Sequence, residues 1–432
     1  TGPDFIIGYK LSSDEWVSGG LTIEDTKAYV PFLEEAGVDY FGVSVGVYRS
    51  GDQIIPSMYT EHGWIANNAK EVKSVASVPV YAIGRINDTR VANAIIKSGK
   101  ADMVAMGRQS IADPETPNKA KAGCFTDIRT CVGCLHGCDA NVNLEKSGTC
   151  ELNPIIGHES EAEYQTVMTE SPKNVLVIGA GPAGLEAAIG AAKCGHNVTV
   201  YDKDRWAGGK YRLASVPPCK GELGAFIVWQ MHELKKLNVP VILNTEVTKE
   251  LVDSVKPDVV IAATGTNPVV PKMIPGYDKD IVVLGTDVLS GKANTGHNVV
   301  VIGGGHAGAE TANHIASYMK NVTIVELQED IAMDEVDTPR NALLADLKKN
   351  EVRVCASTSV QEIKDHSVVV SGKYNEEIEC DTVVISIGHK PNTVLADELM
   401  AAGYDVRVIG DAVSVGLVGP AVRAGYLEGR RI

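Results

Sequence analysis

The first third of the chain alternates short apolar runs with stretches whose apolar positions recur every three or four residues. FIIGYKLS (5–12), YFGVSV (40–45), VPVYAIG (78–84) and DMVAMGR (102–108) predict strands, with helices near 24–36, 65–77, 88–98 and 114–122. The second helix carries Ile65, Ala69, Val72 and Val75 on one face, the spacing of a helix lying on a sheet. Four strand–helix units in succession predict a parallel sheet. They do not close an eight-stranded barrel, which needs about 200 residues or more. The expectation is that a comparable number of units belongs on the N-terminal side.

A different pattern begins at Asn174. NVLVIGAGPAGLEAA is a buried strand, a turn on Gly179, Gly181 and Gly184, and an alanine-rich helix. The first glycine permits the tight turn, the second lets a pyrophosphate approach the backbone, and the third lets helix pack on strand. NVTVYDKD follows, ending its strand at Asp202, placed to bind a ribose hydroxyl, and then come Gly208, Gly209 and Lys210, which resemble the corresponding run of flavoprotein reductases, so the resemblance implies FAD as the ligand. The construction returns at Asn298 as NVVVIGGGHAGAETA, with Gly303, Gly305 and Gly308, and NVTIVELQED ends its strand at Glu326. An acidic residue there accepts hydrogen bonds from an unmodified ribose and repels a 2′-phosphate, favouring NADH over NADPH. This duplication is the one internal repeat.

Between the two patterns lies TCVGCLHGCDANVNLEKSGTCELNP (130–154), holding four of the nine cysteines. Cys131, Cys134, Cys138 and Cys150 are spaced for their thiolates to converge on an iron-sulfur cluster or a structural zinc ion. Local metal-type spacing argues against disulfides. Cys124 reads as an ordinary thiol, and Cys194, Cys219, Cys355 and Cys380 as small core residues. Residues 155–172 read as a linker.

Composition narrows the partners. At 432 residues the chain predicts about three domains, and its net charge of -15 speaks against a nucleic-acid groove. No apolar run approaches the about 18 residues of a membrane span, and no export leader precedes the first strand, so a cytoplasmic location is expected.

The ends of the third and fourth strands carry Gly84-Arg85 and Gly107-Arg108, the backbone amides and guanidinium of a phosphate site. YKLS, SVGVY, AIGRINDTRVAN and MVAMGRQSIADPE resemble the second half of the flavin barrel in the old yellow enzyme superfamily. The resemblance is to its large iron-sulfur flavoproteins: 2,4-dienoyl-CoA reductase, 2-enoate reductases and their bile-acid and flavonoid-reducing relatives. It extends through the cysteine stretch and both glycine turns.

The resemblance implies an α/β chain: a partial (β/α)8 FMN barrel (1–123), a cluster segment and linker (124–170), an FAD domain in two parts (171–280 and 390–432) and an NAD(H) domain between them (281–389). It places Lys10 near the flavin ring, with Gly84, Arg85, Gly107 and Arg108 holding the FMN phosphate. It favours [4Fe-4S] over zinc on the four cysteines, since zinc carries no electrons between flavins. DVVIAATGTNP, with Thr264 and Gly265, and DTVVISIGHKPN resemble the segments crossing between the FAD and NADH domains. RVIGDAVSVGLVGP resembles the terminal flavin motif, with Gly410 and with Asp411 on the ribityl chain. Tyr48 stands where dienoyl-CoA reductase carries a catalytic histidine, and a tyrosine can donate a proton.

The implied function is NADH-dependent reduction of the C=C bond of a small-molecule unsaturated carbonyl compound. Electrons would pass from NADH to FAD, [4Fe-4S], FMN and substrate, in a homo-oligomer bound to neither nucleic acid nor membrane. The alternatives are an amine dehydrogenase of the trimethylamine dehydrogenase type and an electron-transfer module feeding a partner.

Overall fold

The computed structural model describes residue 2 and residues 4–432. It divides into two compact units, one of residues up to 138 with 337–341, the other of 139–336 with 342–432.

In the first unit the strands Gly8–Ser12, Tyr40–Ser44, Val80–Ala82 and Met103–Val104 form one parallel sheet in chain order. Two of the helices between them start where a side chain caps them. Thr22 and Asp25 form a reciprocal capping box for Ile23–Glu35, and Asp88 accepts the Arg90 amide at the head of Thr89–Lys97. Leu11, Phe41, Val43, Val80 and Ala82 bury against Val30, Ala69 and Val72. The last strand is shorter than expected: Gly107 and Arg108 open the helix Gly107–Ala112 instead of ending a strand. A short strand feeding directly into a helix start leaves amides directed at the strand end.

The second unit holds two five-stranded parallel sheets of matching layout. In the first the order is Val406–Val408, Val259–Ala262, Asn174–Ile178, Asn197–Tyr201, Val241–Ile242. In the second it is Val282–Leu284, Thr382–Ile385, Asn298–Ile302, Asn321–Val325, Arg353–Cys355. The central strands are buried almost throughout, as the continuous VLVI and VVVI runs require of a sheet covered on both faces. The crossing strands Thr266–Pro268 and His389–Pro391 pair antiparallel with each other, and a three-stranded antiparallel sheet, Thr358–Ile363, Ser367–Gly372 and Glu376–Glu379, follows the second repeat.

The C-terminal helix Val418–Arg430 packs on Pro182–Lys193 at near-backbone distance. A Cβ on Gly425 would stand 2.1 Å from the Ala183 carbonyl oxygen, so only glycine fits. The stretch expected to be a linker is packed too. Tyr164 is buried, stacks on His158 with ring centroids 4.5 Å apart, and its carbonyl accepts the Tyr426 hydroxyl at 2.7 Å. The acidic composition of 155–163 suggested solvent; one aromatic residue within reach of the C-terminal helix sufficed to dock it. Cys194, Cys355 and Cys380 are buried as expected, whereas Cys219 is exposed, in a left-handed turn (φ 65°) ahead of Lys220.

Candidate functional site

The strand ends of the first unit converge on the cysteine loop. Gly84 takes φ +108° just past its strand, and Arg85 follows at φ +49°, an unusual conformation for a bulky residue. The Arg85 guanidinium is buried and donates to the Thr60 carbonyl, while its Nε lies 3.2 Å from where a Cβ on Gly133 would be. Arg85 therefore braces the cysteine loop from below. Arg108 donates to the Pro56 carbonyl at 2.7 Å, and Gly107 faces open space. Lys10 is exposed on the first strand, and Tyr48 is fully exposed at the head of the short helix Tyr48–Ser50.

Two residues that motif reading did not single out hold the loop. Gln109, 1% exposed, accepts the Cys131 amide through Oε1 at 2.8 Å and donates through Nε2 to the Arg129 carbonyl at 3.1 Å. Asn87 donates to the Cys131 carbonyl at 2.5 Å. The signal for both was their adjacency to the arginine pairs, in GRIN and GRQ. Gly133 and Leu135 both adopt φ +68°, and the Gly133 carbonyl accepts the Met58 amide at 3.0 Å. Cys131, Cys134 and Cys138 are half-buried thiols on this fixed backbone.

In the second unit, Asn141 donates to the Thr149 hydroxyl at 3.0 Å, returning the chain ahead of Cys150, whose sulfur accepts the Leu152 amide at 3.4 Å. An N–H directed at sulfur stabilises a thiolate. Glu151, buried, accepts the Gly419 amide at 2.6 Å, which ties the fourth cysteine to the start of the C-terminal helix. Soft thiols on a glycine-bearing loop, and at Cys150 a backbone amide aimed at the sulfur, fit an iron-sulfur cluster.

Both glycine turns are built as the fingerprint demands. Gly179 and Gly303 sit at φ +106° and +100°, and a Cβ on Gly184 or Gly308 would lie 2.0 Å from the carbonyl oxygen of Gly179 or Gly303. Asp202 accepts the Ala180 amide at 2.6 Å and Glu326 the Gly304 amide at 2.5 Å, so each strand-end acid stands over its own turn. Burial raises the Asp202 carboxyl above the ordinary range, against the hydrogen bonds from Asp204 and Ala180. Lys210, after the left-handed Gly208 and Gly209, pairs with Asp411 at 2.7 Å, next to Gly410 at φ +64°. The Thr264 hydroxyl donates to the Asn392 carbonyl at 2.5 Å, and the Gly265 carbonyl accepts the Asn392 amide at 3.0 Å, so these two residues bind one crossing segment to the other.

The sequence reading missed a buried charge cluster at the second turn. His306 Nε2 lies 2.6 Å from Glu310 and 2.7 Å from Glu335, and Lys220 contacts both Glu310 and His306. His306, Glu310 and Glu335 could together hold a metal ion, but the Lys220 ammonium already stands against two of them and balances the charge. Burial disfavours a charged His306, yet Glu310 and Glu335 outweigh it and raise its pKa to about 9, with Lys220 opposing. Burial pushes Glu310 up, but His306 and Lys220 hold it below its ordinary value. A histidine whose folded pKa is raised contributes stability in full below about pH 6.5 and loses it as pH rises through about 9. The melting-temperature gap between the native protein and His306→Gln is therefore expected to narrow between pH 7 and 9.5; a gap constant over that range would contradict the ion pairs.

Residues 1–127 match the NADH:flavin oxidoreductase / NADH oxidase family, and residues 173–409 the pyridine nucleotide-disulphide oxidoreductase family. An NADH oxidase of Thermoanaerobacter brockii is 39% identical over 98% of this chain and 66% of the relative. A cinnamate reductase of Clostridium sporogenes is 34% identical over 100% of this chain and 67% of the relative. Among solved structures, a 2-naphthoyl-CoA reductase in complex with 2-naphthoyl-CoA superposes with a TM-score of 0.94 at 31% identity, over 98% of this chain and 64% of that one. The chain thus spans about two thirds of the length of these two relatives. Among the described residues no helix is long and apolar enough to cross a membrane.

Proposed function

Because the chain belongs to the NADH:flavin oxidoreductase / NADH oxidase family, continued by a pyridine nucleotide-disulphide oxidoreductase portion, we propose that it serves NADH-dependent reduction of a C=C bond conjugated to a carbonyl. Membership makes it a flavin-dependent oxidoreductase whose portions take FMN, FAD and NADH. The observation that carries the reading is the pair of matching nucleotide folds downstream of a flavin-barrel portion and a cysteine loop. The substrates named for two relatives, cinnamate and 2-naphthoyl-CoA, share unsaturation conjugated to a carbonyl.

The residues divide the work. Gly84, Gly107 and Arg108 offer amides and positive charge to the FMN phosphate, Arg85 supporting them and the cysteine loop, and Lys10 attends the flavin ring. Gly179, Gly181, Gly184, Asp202, Gly209, Lys210, Gly410 and Asp411 hold FAD, with Thr264 and Gly265 at the crossing. Gly303, Gly305, Gly308 and Glu326 receive the nicotinamide nucleotide, Glu326 selecting the unphosphorylated ribose. Cys131, Cys134, Cys138 and Cys150 are the ligands of a [4Fe-4S] cluster. Once bound, these groups supply an electron path from NADH through FAD, cluster and FMN to the substrate β-carbon. Exposed Tyr48 is the proton donor to the α-carbon.

The test is anaerobic stopped-flow on the full-length protein. NADH should bleach the flavins and an enoate or enoyl thioester should restore their colour; flavin that no such acceptor reoxidises would sink the proposal. Bleaching by trimethylamine would point to the amine dehydrogenase reading instead. Tyr48→Phe is expected to slow reoxidation by the acceptor about a hundredfold while leaving bleaching by NADH unchanged. Equal rates in both phases would assign the proton to another donor.

A further inference from the structure

The two glycine turns differ in what stands before them. At the first, a Cβ on Gly181 would meet nothing within 4 Å, and the helix opens with Pro182, which has no amide hydrogen to offer. At the second, the helix His306–Ala316 opens with an amide that is already taken. The His306 N–H donates to Oδ1 of Asp334 at 2.7 Å, and a Cβ on Gly305 would lie 3.6 Å from the same carboxylate. Amides at the head of the helix after such a turn are the donors that a dinucleotide pyrophosphate uses. Pro182 offers no amide at the matching place of the first turn, so a pyrophosphate does not need this one donor; a carboxylate held at the helix head opposes the phosphate by its charge and by the space it takes.

The loop between Glu326 and Asp337 is fastened on both sides of Asp334. The Ala332 amide donates to the Gly304 carbonyl at 2.7 Å, with Ala332 at φ +50° and buried beside Ile331. Buried Glu335 holds His306 through its side chain at 2.7 Å. Asp334 itself is exposed, so its side chain can turn out into solvent while the backbone stays pinned.

We infer that Asp334 is a nucleotide-displaceable plug of the second dinucleotide site, kept in place by the His306–Glu335 contact. The inference rests on reading that unit as the NADH site. Its consequence is that the measured affinity for the nucleotide is the intrinsic affinity reduced by the fraction of molecules with the carboxylate turned away. Asp334 thereby becomes an affinity-determining residue for the nucleotide, with no role at the FAD turn.

The informative variant is Asp334→Asn, which keeps an oxygen to accept the His306 amide and removes only the charge. Calorimetric titration of the holoenzyme with NAD+, ADP-ribose and adenosine reads the effect without turnover. The variant should bind NAD+ and ADP-ribose about fivefold more tightly, bind adenosine unchanged and retain its full FAD content. Glu335→Gln should shift ADP-ribose in the same direction by less. Binding equal to that of the native protein would make Asp334 a helix cap and overturn the inference; weaker binding would make it a ligand of the nucleotide and overturn it equally. If the native protein binds ADP-ribose and the variant gains nothing, the plug alone falls. If neither binds it, the NADH reading of this unit falls and the plug with it.

Discussion

Cys131→Ser, made in the full-length protein and purified without oxygen, is expected to lose its iron and its brown colour while NADH still bleaches FAD. The loop should survive, because Cys131 is positioned by its backbone, with its amide on Gln109 and its carbonyl on Asn87, and neither bond involves the sulfur. Only the ligand is removed. Losing a group that merely orients a metal ligand costs about ten- to a hundredfold in affinity or activity, so losing the ligand itself should cost reduction of the unsaturated acceptor at least the upper figure. Iron and sulfide analysis, visible spectra and the two-phase stopped-flow trace read the outcome together. Zinc in the native protein, or acceptor reduction unaltered in the variant, would refute the cluster.

Gly184→Ala and Gly308→Ala should separate the two nucleotide units. Each new methyl would meet a backbone carbonyl oxygen at 2.0 Å, that of Gly179 in one unit and of Gly303 in the other, and neither oxygen belongs to a flexible side chain. The helix must lift off its strand, an overpacking strain of roughly 1–3 kcal/mol, and the amides that face the pyrophosphate move with it. Gly184→Ala is expected to purify with little FAD. Gly308→Ala should keep its FAD but lose bleaching by NADH at least tenfold while dithionite still reduces it. Retained NADH reduction in Gly308→Ala would show that the nucleotide enters elsewhere.

The glycine spacings and the strand-end acids were legible because each encodes a local requirement, a φ that only glycine tolerates or an acid where a strand ends; the cysteine run was legible as four thiols within one short stretch. The two sheets of matching order follow from apolar runs that have one way to be buried. Gln109 and Asn87 were not legible as the supports of Cys131, since a buried amide leaves no periodic trace and gains its meaning from carbonyls and amides more than 20 residues away. Tyr164 was hidden within an acidic stretch that looks like solvent-exposed chain.

The sequence by itself determined the parallel α/β architecture, the two glycine turns with their partner acids, and the cysteine set, all of them properties of short segments. Only the tertiary structure decided that Arg85 turns beneath the cysteine loop, that Lys220 and Glu335 close on His306 and Glu310, and that Asp334 takes the amide at the head of the second helix. Those contacts join residues from separate elements. A charge's partner is set by which surfaces the chain brings together as it buries its apolar strands, and no spacing along the chain records that.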